Sequence, residues 1–227
     1  MKGKRFLKSY FSYIACFAIL FFICASGIAE DAPKAVTEAA RSGLLPFLEK
    51  MPAGEEEYYG FNSGENPEQS SLGEPFLLYT ITPEALFNYR DGETVSSLLT
   101  STQVWLFPVV LGGDYRAMLT VARQEGVWKA VAFGKAALAR ELQKIHQQWP
   151  DSKGYEPKLV AVFQATAYFF TLPAEDDQNL TPLFFEGKGF APEFYRSDEG
   201  YRSTVKISQI IGQLRETVEE NLKSQDF

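Results

Sequence analysis

The sequence predicts an α+β fold in which helices pack on a mostly antiparallel β-sheet. The first supporting observation is a run of three apolar segments over residues 104–133, joined by two tight glycine turns, which is typical of an antiparallel meander. The second is that segments with helical periodicity stand before and after this run, and do not alternate regularly with single strands. Such grouping favours α+β architecture over a parallel α/β sheet.

The first residues predict export. Met1–Lys8 is basic, and Tyr10–Ile23 is almost continuously apolar. Small residues follow, with Gly27 and Ala29 at the −3 and −1 positions of an A-x-A-like cleavage site. The sequence therefore predicts a signal peptide over residues 1–29 and a periplasmic or extracellular mature chain.

Two alternatives concern the fate of this leader. Phe11–Ala29 is uncharged and nearly long enough to span a bilayer, so an uncleaved anchor is one alternative, in which the leader is the chain's contact with the membrane. Cys24 is a candidate lipidation site, although bulky Ile23 precedes it where a small residue is expected. Each alternative places the folded domain outside the cytoplasm.

Cysteine and charge distribution exclude several classes of function. Cys16 and Cys24 are the two cysteines of the chain, and both lie in the leader, so the mature portion has no thiol for a nucleophile, a thiolate metal site or a disulfide. The mature portion also has 18 basic and 29 acidic residues, a formal charge of −11. An acidic surface repels phosphate, so nucleic acid is not a predicted partner.

Residues 30–74 are predicted to form an extension that packs on the core. Ala35–Ser42 has helical character, and Gly43 is expected to end that helix. An apolar cluster that should dock on the core follows, at Leu44, Leu45, Phe47, Leu48 and Met51. Pro52–Gly73 is rich in Gly, Glu, Ser and Asn and predicts a long surface loop, with one helical turn after Asn66.

A core domain is predicted over residues 75–186. It begins with an apolar strand at Phe76–Ile81. Thr82, followed by proline and glutamate, is typical of a helix start and predicts a short helix through about Tyr89. The strands of the central meander are predicted at Val104–Val110, Tyr115–Arg123 and Val127–Phe133.

The second half continues with a helix over Ala136–Gln148, whose apolar residues recur at helical spacing and which Pro150 ends. Leu159–Leu172 is rich in β-forming residues and predicts one bent strand or two. Leu180–Phe185 is expected to pair back as a last strand. Residues 187–227 are predicted as a loop and a C-terminal amphipathic helix.

The single histidine, His146, excludes metal motifs that need two histidines. It lies beside the apolar stripe of its helix, which predicts a position at the boundary of the core and not a catalytic role. Ser203 and Lys206 match the S-x-x-K pattern of serine acylating enzymes, but the companion motifs are missing. A helix start capped by Ser203 or Thr204 is the preferred interpretation. No cofactor and no metal are predicted.

Acidic side chains are the remaining candidates for catalysis. Glu57, Asp91, Asp114 and Asp177 are available to a hydrolase that uses Asp/Glu chemistry, and the sequence does not rank them. Two carboxylates converging in one cleft, with one buried enough to raise its pKa, would distinguish this alternative.

Tyr58, Tyr59 and Phe61 follow three glutamates in the polar loop, where aromatic rings can stack on a sugar or a peptide side chain. Folding back over the core is the alternative role for these rings. The leading hypothesis is an exported, non-catalytic domain that binds an envelope protein, a peptide or a small ligand, with these three residues beside a concave surface of the sheet. An exported hydrolase and an envelope-anchored structural protein are the alternatives.

Overall fold

A computed structural model describes residues 32–150, 155–172, 176–183 and 204–225. The predicted signal peptide and its cleavage site after Ala29 lie outside the described residues, as does Ser203. The helices are α1 (Lys34–Glu49), α2 (Pro83–Asn88), α3 (Val95–Leu98), α4 (Ala136–Gln148) and α5 (Ile207–Gln225). Short 3₁₀ turns occupy Glu56–Tyr59, Pro67–Gln69 and Phe163–Ala165.

The strands are β1 (Ser71–Leu72), β2 (Phe76–Ile81), β3 (Leu99–Leu111), β4 (Asp114–Gln124), β5 (Val127–Gly134), β6 (Lys158–Val162), β7 (Ala167–Thr171), β8 (Asn179–Leu183) and β9 (Val205–Lys206). Within the described residues they form one sheet in the order β5-β4-β3-β2-β6-β7-β8-β9, with β1 paired to β3. Neighbouring strands are antiparallel except β2 and β6, which are parallel. The prediction of helices on a mostly antiparallel sheet is confirmed.

Several predicted elements are reproduced closely. The bounds of β2 and α4 are those predicted from apolar pattern and capping. The meander is formed by β3, β4 and β5, but it lies at one end of the sheet and not at its centre. Leu159–Leu172 divides into β6 and β7 because a 3₁₀ turn and Thr166, at φ 51°, reverse the chain between them.

Side chains alternate along the strands and give the sheet two apolar faces. On one face, α1 covers the meander around Leu119, while α5 and α2 cover the other half around Phe169. On the opposite face, α4 packs through Leu138 and Leu142 onto the middle strands. The layer formed by α4 is the one that positions the candidate site.

The prediction that Gly43 ends the first helix is wrong, because α1 continues through Gly43 and Pro46 to Glu49. A Cβ atom at Gly43 would lie 2.2 Å from Cβ of Ala130 in β5. The glycine therefore permits close packing of the helix on the sheet, and the local signal for a helix end is overridden by this long-range contact. Of the apolar cluster expected to dock there, Leu48 is buried and Leu45 is exposed.

The C-terminal helix α5 is anchored to the body of the domain by Arg215. Its guanidinium donates hydrogen bonds to three backbone carbonyls at the end of α2, those of Leu86, Phe87 and Tyr89. Lys206 lies in β9, and α5 begins only at Ile207, so the helix starts later than the Ser203 or Thr204 cap predicted from the sequence. In the part of the chain that the structure describes, no helix is long and apolar enough to cross a membrane.

Candidate functional site

A pocket of about 600 Å³ opens between the C-terminal end of α4 and strands β7 and β8. Its volume lies in the range typical of small-molecule sites. Ten residues line it, five apolar and five polar: Ile145, Trp149, Phe170, Pro182 and Leu183, and Glu141, Lys144, Gln147, Gln148 and Thr181. The pocket is therefore suited to an amphipathic ligand.

The end of α4 places an aromatic pair in this pocket. Pro150 cannot continue the helix, so α4 ends at Gln148 with Trp149 as its C-cap, and the Trp149 backbone N–H donates to the Ile145 carbonyl at 2.7 Å. The indole lies beside Phe170 of β7, with ring centroids 4.9 Å apart and planes tilted by 49°. Such pairs stabilise by about 0.5–1.5 kcal/mol beyond area burial. Trp149 remains only half-buried, so part of its ring faces the pocket.

The strand register brings a hydroxyl group to the same wall. Thr181 of β8 pairs directly with Phe170, so both side chains lie on the face of the sheet that α4 covers. Thr181 is only 3% exposed, and no group in the described residues hydrogen-bonds to its Oγ1. A buried hydroxyl without a partner costs roughly 1–3 kcal/mol.

Two other buried threonines show the usual arrangement. Oγ1 of Thr171 donates to the Asn179 carbonyl at 2.8 Å, and Oγ1 of Thr80 donates to the Ala161 carbonyl at 2.7 Å. Among the buried threonine hydroxyls of the described ranges, the one that lacks a protein partner is the one that lines the pocket. The buried hydroxyl without a described partner and the pocket lining therefore coincide at Thr181.

The charged groups of the pocket are already engaged. The Glu141 side chain is 11% exposed, and its carboxylate accepts a hydrogen bond from Nζ of Lys144 at 2.7 Å. Removing a carboxylate from water is costly unless a cation compensates it, and the i,i+3 spacing on α4 supplies one. Glu141 is the one carboxylate that lines the pocket among the described residues.

The predicted aromatic site lies elsewhere, on the meander. Tyr58 is 81% exposed and makes an edge contact with half-buried Tyr59, whose ring stacks on Phe133 of β5 at 5.6 Å. Phe61 is 1% exposed and belongs to the core beneath α1. None of the predicted trio lines the described pocket. Phe61 packs inward because the loop crosses the apolar face of the meander, which leaves Tyr58 and Tyr59 as the rings that a ligand could reach.

The loop that carries these tyrosines is fixed in place. Gly60 has φ 93°, and a Cβ atom there would lie 2.1 Å from the Arg116 carbonyl oxygen, so only glycine fits. Glu65 forms an ion pair with the Arg116 guanidinium, and the Asn62 backbone N–H donates to Glu65 at 2.7 Å. That backbone hydrogen bond holds the pKa of Glu65 below its usual value of 4.5.

The four carboxylates suggested for hydrolysis have separate surroundings. Asp114 pairs with Arg116 at 3.3 Å, and Asp177 accepts hydrogen bonds from the backbone N–H and the hydroxyl of Ser96 at 2.9 and 2.7 Å. Glu57 and Asp91 are exposed. The pocket lining does not include any of the four, and the described ranges contain no group of three or more acidic, cysteine or histidine side chains that could hold a metal ion.

His146 occupies the predicted boundary position. It is half-buried on α4, with its ring centroid 6.3 Å from that of Tyr115. Trp105 is 3% exposed and belongs to the core, whereas Trp149 lines the pocket. The comparisons with known proteins add no family: no family model matches the chain, and neither a curated protein nor a solved structure is significantly similar to it.

The sequence did not identify Thr181 or Glu141. Thr181 lies in a predicted strand, but its partner and its face follow from the register with β7, which a single sequence does not specify. Glu141 is next to Leu142 on the apolar stripe of α4, and an acidic residue at the border of such a stripe was the available signal.

Proposed function

We propose that this chain is an exported, non-catalytic binding domain of the cell envelope and that its ligand enters the pocket between α4, β7 and β8. The observation that carries the proposal is the Thr181 hydroxyl, which is buried in the pocket wall and has no hydrogen-bond partner among the described residues. A ligand that bonds to this hydroxyl would recover the free energy lost by burying it.

The chemistry of the lining favours binding over hydrolysis. Acid-base hydrolysis requires two carboxylates, or a nucleophile with a base, in one cleft. Glu141 is the one carboxylate in the described lining, and it forms an ion pair with Lys144. Trp149, Phe170 and the glutamine amides supply contact surface and hydrogen bonds, which are the properties needed to hold a ligand.

The leader supports the envelope location. A basic start, an apolar run and small residues before Glu30 are the features that direct a chain into the export pathway. A mature portion that lacks cysteine and carries a formal charge of −11 is suited to an oxidising, aqueous compartment.

The test uses protein recovered from the extracytoplasmic fraction of cells that express the full chain. Its mass should correspond to a chain beginning at Glu30. A library of small-molecule fragments is then screened by saturation-transfer NMR, and hits are mapped by ¹⁵N-¹H spectra, in which we expect the Trp149 indole signal to shift. Trp149→Ala should abolish this binding.

Tyr58→Ala is the matched control, because it removes an exposed aromatic ring outside the pocket and should leave fragment binding unchanged. Fragments that bind the Trp149→Ala variant as well as the unaltered protein would refute the pocket assignment. Recovery of the full-length chain from the cytosol would refute export.

A further inference from the structure

Resting on the proposed function of the same pocket, we propose that its ligand is an uncharged, hydroxyl-rich ring: a pyranose unit of a neutral oligosaccharide. The inference depends on three properties of the lining, namely its paired charges, its neutral hydrogen-bonding groups and its aromatic pair. Each property excludes a different class of ligand.

The paired charges exclude an ionic ligand. Nζ of Lys144, whose side chain is 60% exposed, donates to the Glu141 carboxylate at 2.7 Å, so the two charges already form a pair at the pocket. An anionic ligand would face the Glu141 carboxylate, and a cationic ligand would have to displace Lys144 from it. Either ligand would gain a partner only by breaking or sharing the existing pair, so the cost of bringing its charge out of water is not fully compensated.

The neutral polar groups exclude a purely apolar ligand. Thr181 presents a hydroxyl that can donate and accept, and Gln147 and Gln148 present amides that do both. An alkyl chain would leave the Thr181 hydroxyl buried and still unsatisfied, given that the described residues offer it no partner. Sugar hydroxyls also donate and accept, so they match this set in chemistry.

The aromatic pair explains why a ring is expected. Trp149 and Phe170 form an apolar surface beside the polar groups, and Leu183 extends it along β8. A pyranose has C–H groups on its faces and hydroxyls around its rim, so it can contact the rings and the hydrogen-bonding groups at the same time. A flexible acyclic polyol would make the same hydrogen bonds but would lose more conformational entropy on binding.

The test compares four soluble probes by titration of the protein beginning at Glu30, followed through the Trp149 indole signal. Cellotetraose and tetra-N-acetylchitotetraose are neutral pyranose chains, tetragalacturonate is a charged one, and cyclohexanol is an apolar ring with a single hydroxyl. We expect at least one neutral tetrasaccharide to bind more tightly than tetragalacturonate and cyclohexanol.

Thr181→Val should weaken binding of that tetrasaccharide about tenfold, the change that corresponds to losing roughly one hydrogen bond. Thr171→Val, which alters a buried threonine outside the described lining, is the control and should leave the dissociation constant unchanged. Thermal unfolding of each variant shows whether it is folded before its binding is compared.

The outcomes separate the two proposals. Binding of cyclohexanol or of library fragments at Trp149, with no response to either neutral tetrasaccharide, would overturn the sugar inference and leave the binding function in place. Tighter binding of tetragalacturonate than of the neutral chains, or equal affinity of Thr181→Val and the unaltered protein, would also overturn it. If neither probes nor fragments shift Trp149, both proposals fail.

Discussion

The two groups of aromatic side chains on this domain have opposite surroundings. On the meander, the Tyr59 ring is covered by its neighbours Tyr58 and Phe133, and the loop that carries it is fixed by Gly60 and Glu65. At the end of α4, Trp149 and Phe170 adjoin a pocket of about 600 Å³. The first group is packed against protein on one side and water on the other, whereas the second borders space of molecular size.

If the proposed function is correct, exposure of an aromatic ring is a weaker indicator of binding than an unsatisfied polar group beside a cavity. Tyr58 is the more exposed ring, yet its contacts account for its position. Thr181 is buried, and nothing in the described ranges accounts for its hydroxyl. The most informative residue of the site is therefore one that surface inspection would pass over.

Substitution of Gly60, which fixes the loop that carries Tyr58 and Tyr59, should have the largest effect on stability. Gly60→Ala introduces a Cβ atom 2.1 Å from a backbone oxygen at a φ of 93°, and we expect a loss of about 2–4 kcal/mol of unfolding free energy, measured by urea denaturation. Gly64→Ala is the matched control, because Gly64 has φ 83° but nothing within 4 Å, and it should cost only about 1 kcal/mol. Equal losses in the two variants would show that the close approach to Arg116 is unimportant.

Valine substitutions of the buried threonines in β7 and β8 should change the unfolding free energy in opposite directions. Thr181→Val replaces a hydroxyl that has no described partner by a methyl group, and we expect the unfolding free energy to rise by about 1 kcal/mol. Thr171→Val leaves the Asn179 carbonyl without its donor and should lower it by about 1 kcal/mol. Chemical denaturation of both variants measures the contrast. Destabilisation by Thr181→Val equal to that of Thr171→Val would mean that the Thr181 hydroxyl is satisfied in solution.

The smallest expected effect is electrostatic, and it is present near neutral pH and lost in acid. Because the folded pKa of Glu65 is lowered, its contribution to stability is complete above its unfolded value near 4.5 and is lost as the pH falls through the folded value. Glu65→Gln should therefore destabilise the protein at pH 6, and the difference from the unaltered protein should shrink below pH 4. A difference that persists unchanged at pH 3, in urea titrations at both pH values, would contradict this assignment. Titrations in high salt should show a reduced difference at pH 6.

The elements that sequence predicted well are those whose signals are local. The Pro83 cap motif, the two glycine turns of the meander and the apolar stripe of α4 each lie within a few residues of the structure they specify. The role of Gly43 was predicted wrongly because glycine often ends a helix but also permits close packing. Here its role depends on contact with Ala130, which is distant in the sequence. The pocket was not predictable for the same reason, since it requires α4 and the pairing of Thr181 with Phe170 together.

The parallel pairing of β2 with β6 has a consequence for how the molecule assembles. Leu78 pairs with Leu159, so this junction joins segments separated by the whole meander and α4, whereas most other strand pairs link neighbours along the chain. Contacts between distant segments form slowly because a long loop must close first. The two halves of the sheet, β1–β5 and β6–β9, should therefore fold before they pair with each other. The hydrogen bond from the Thr80 hydroxyl to the Ala161 carbonyl should form when β2 pairs with β6. Until then β2 presents an open strand edge, which is the point at which a newly synthesised chain would be most prone to aggregate.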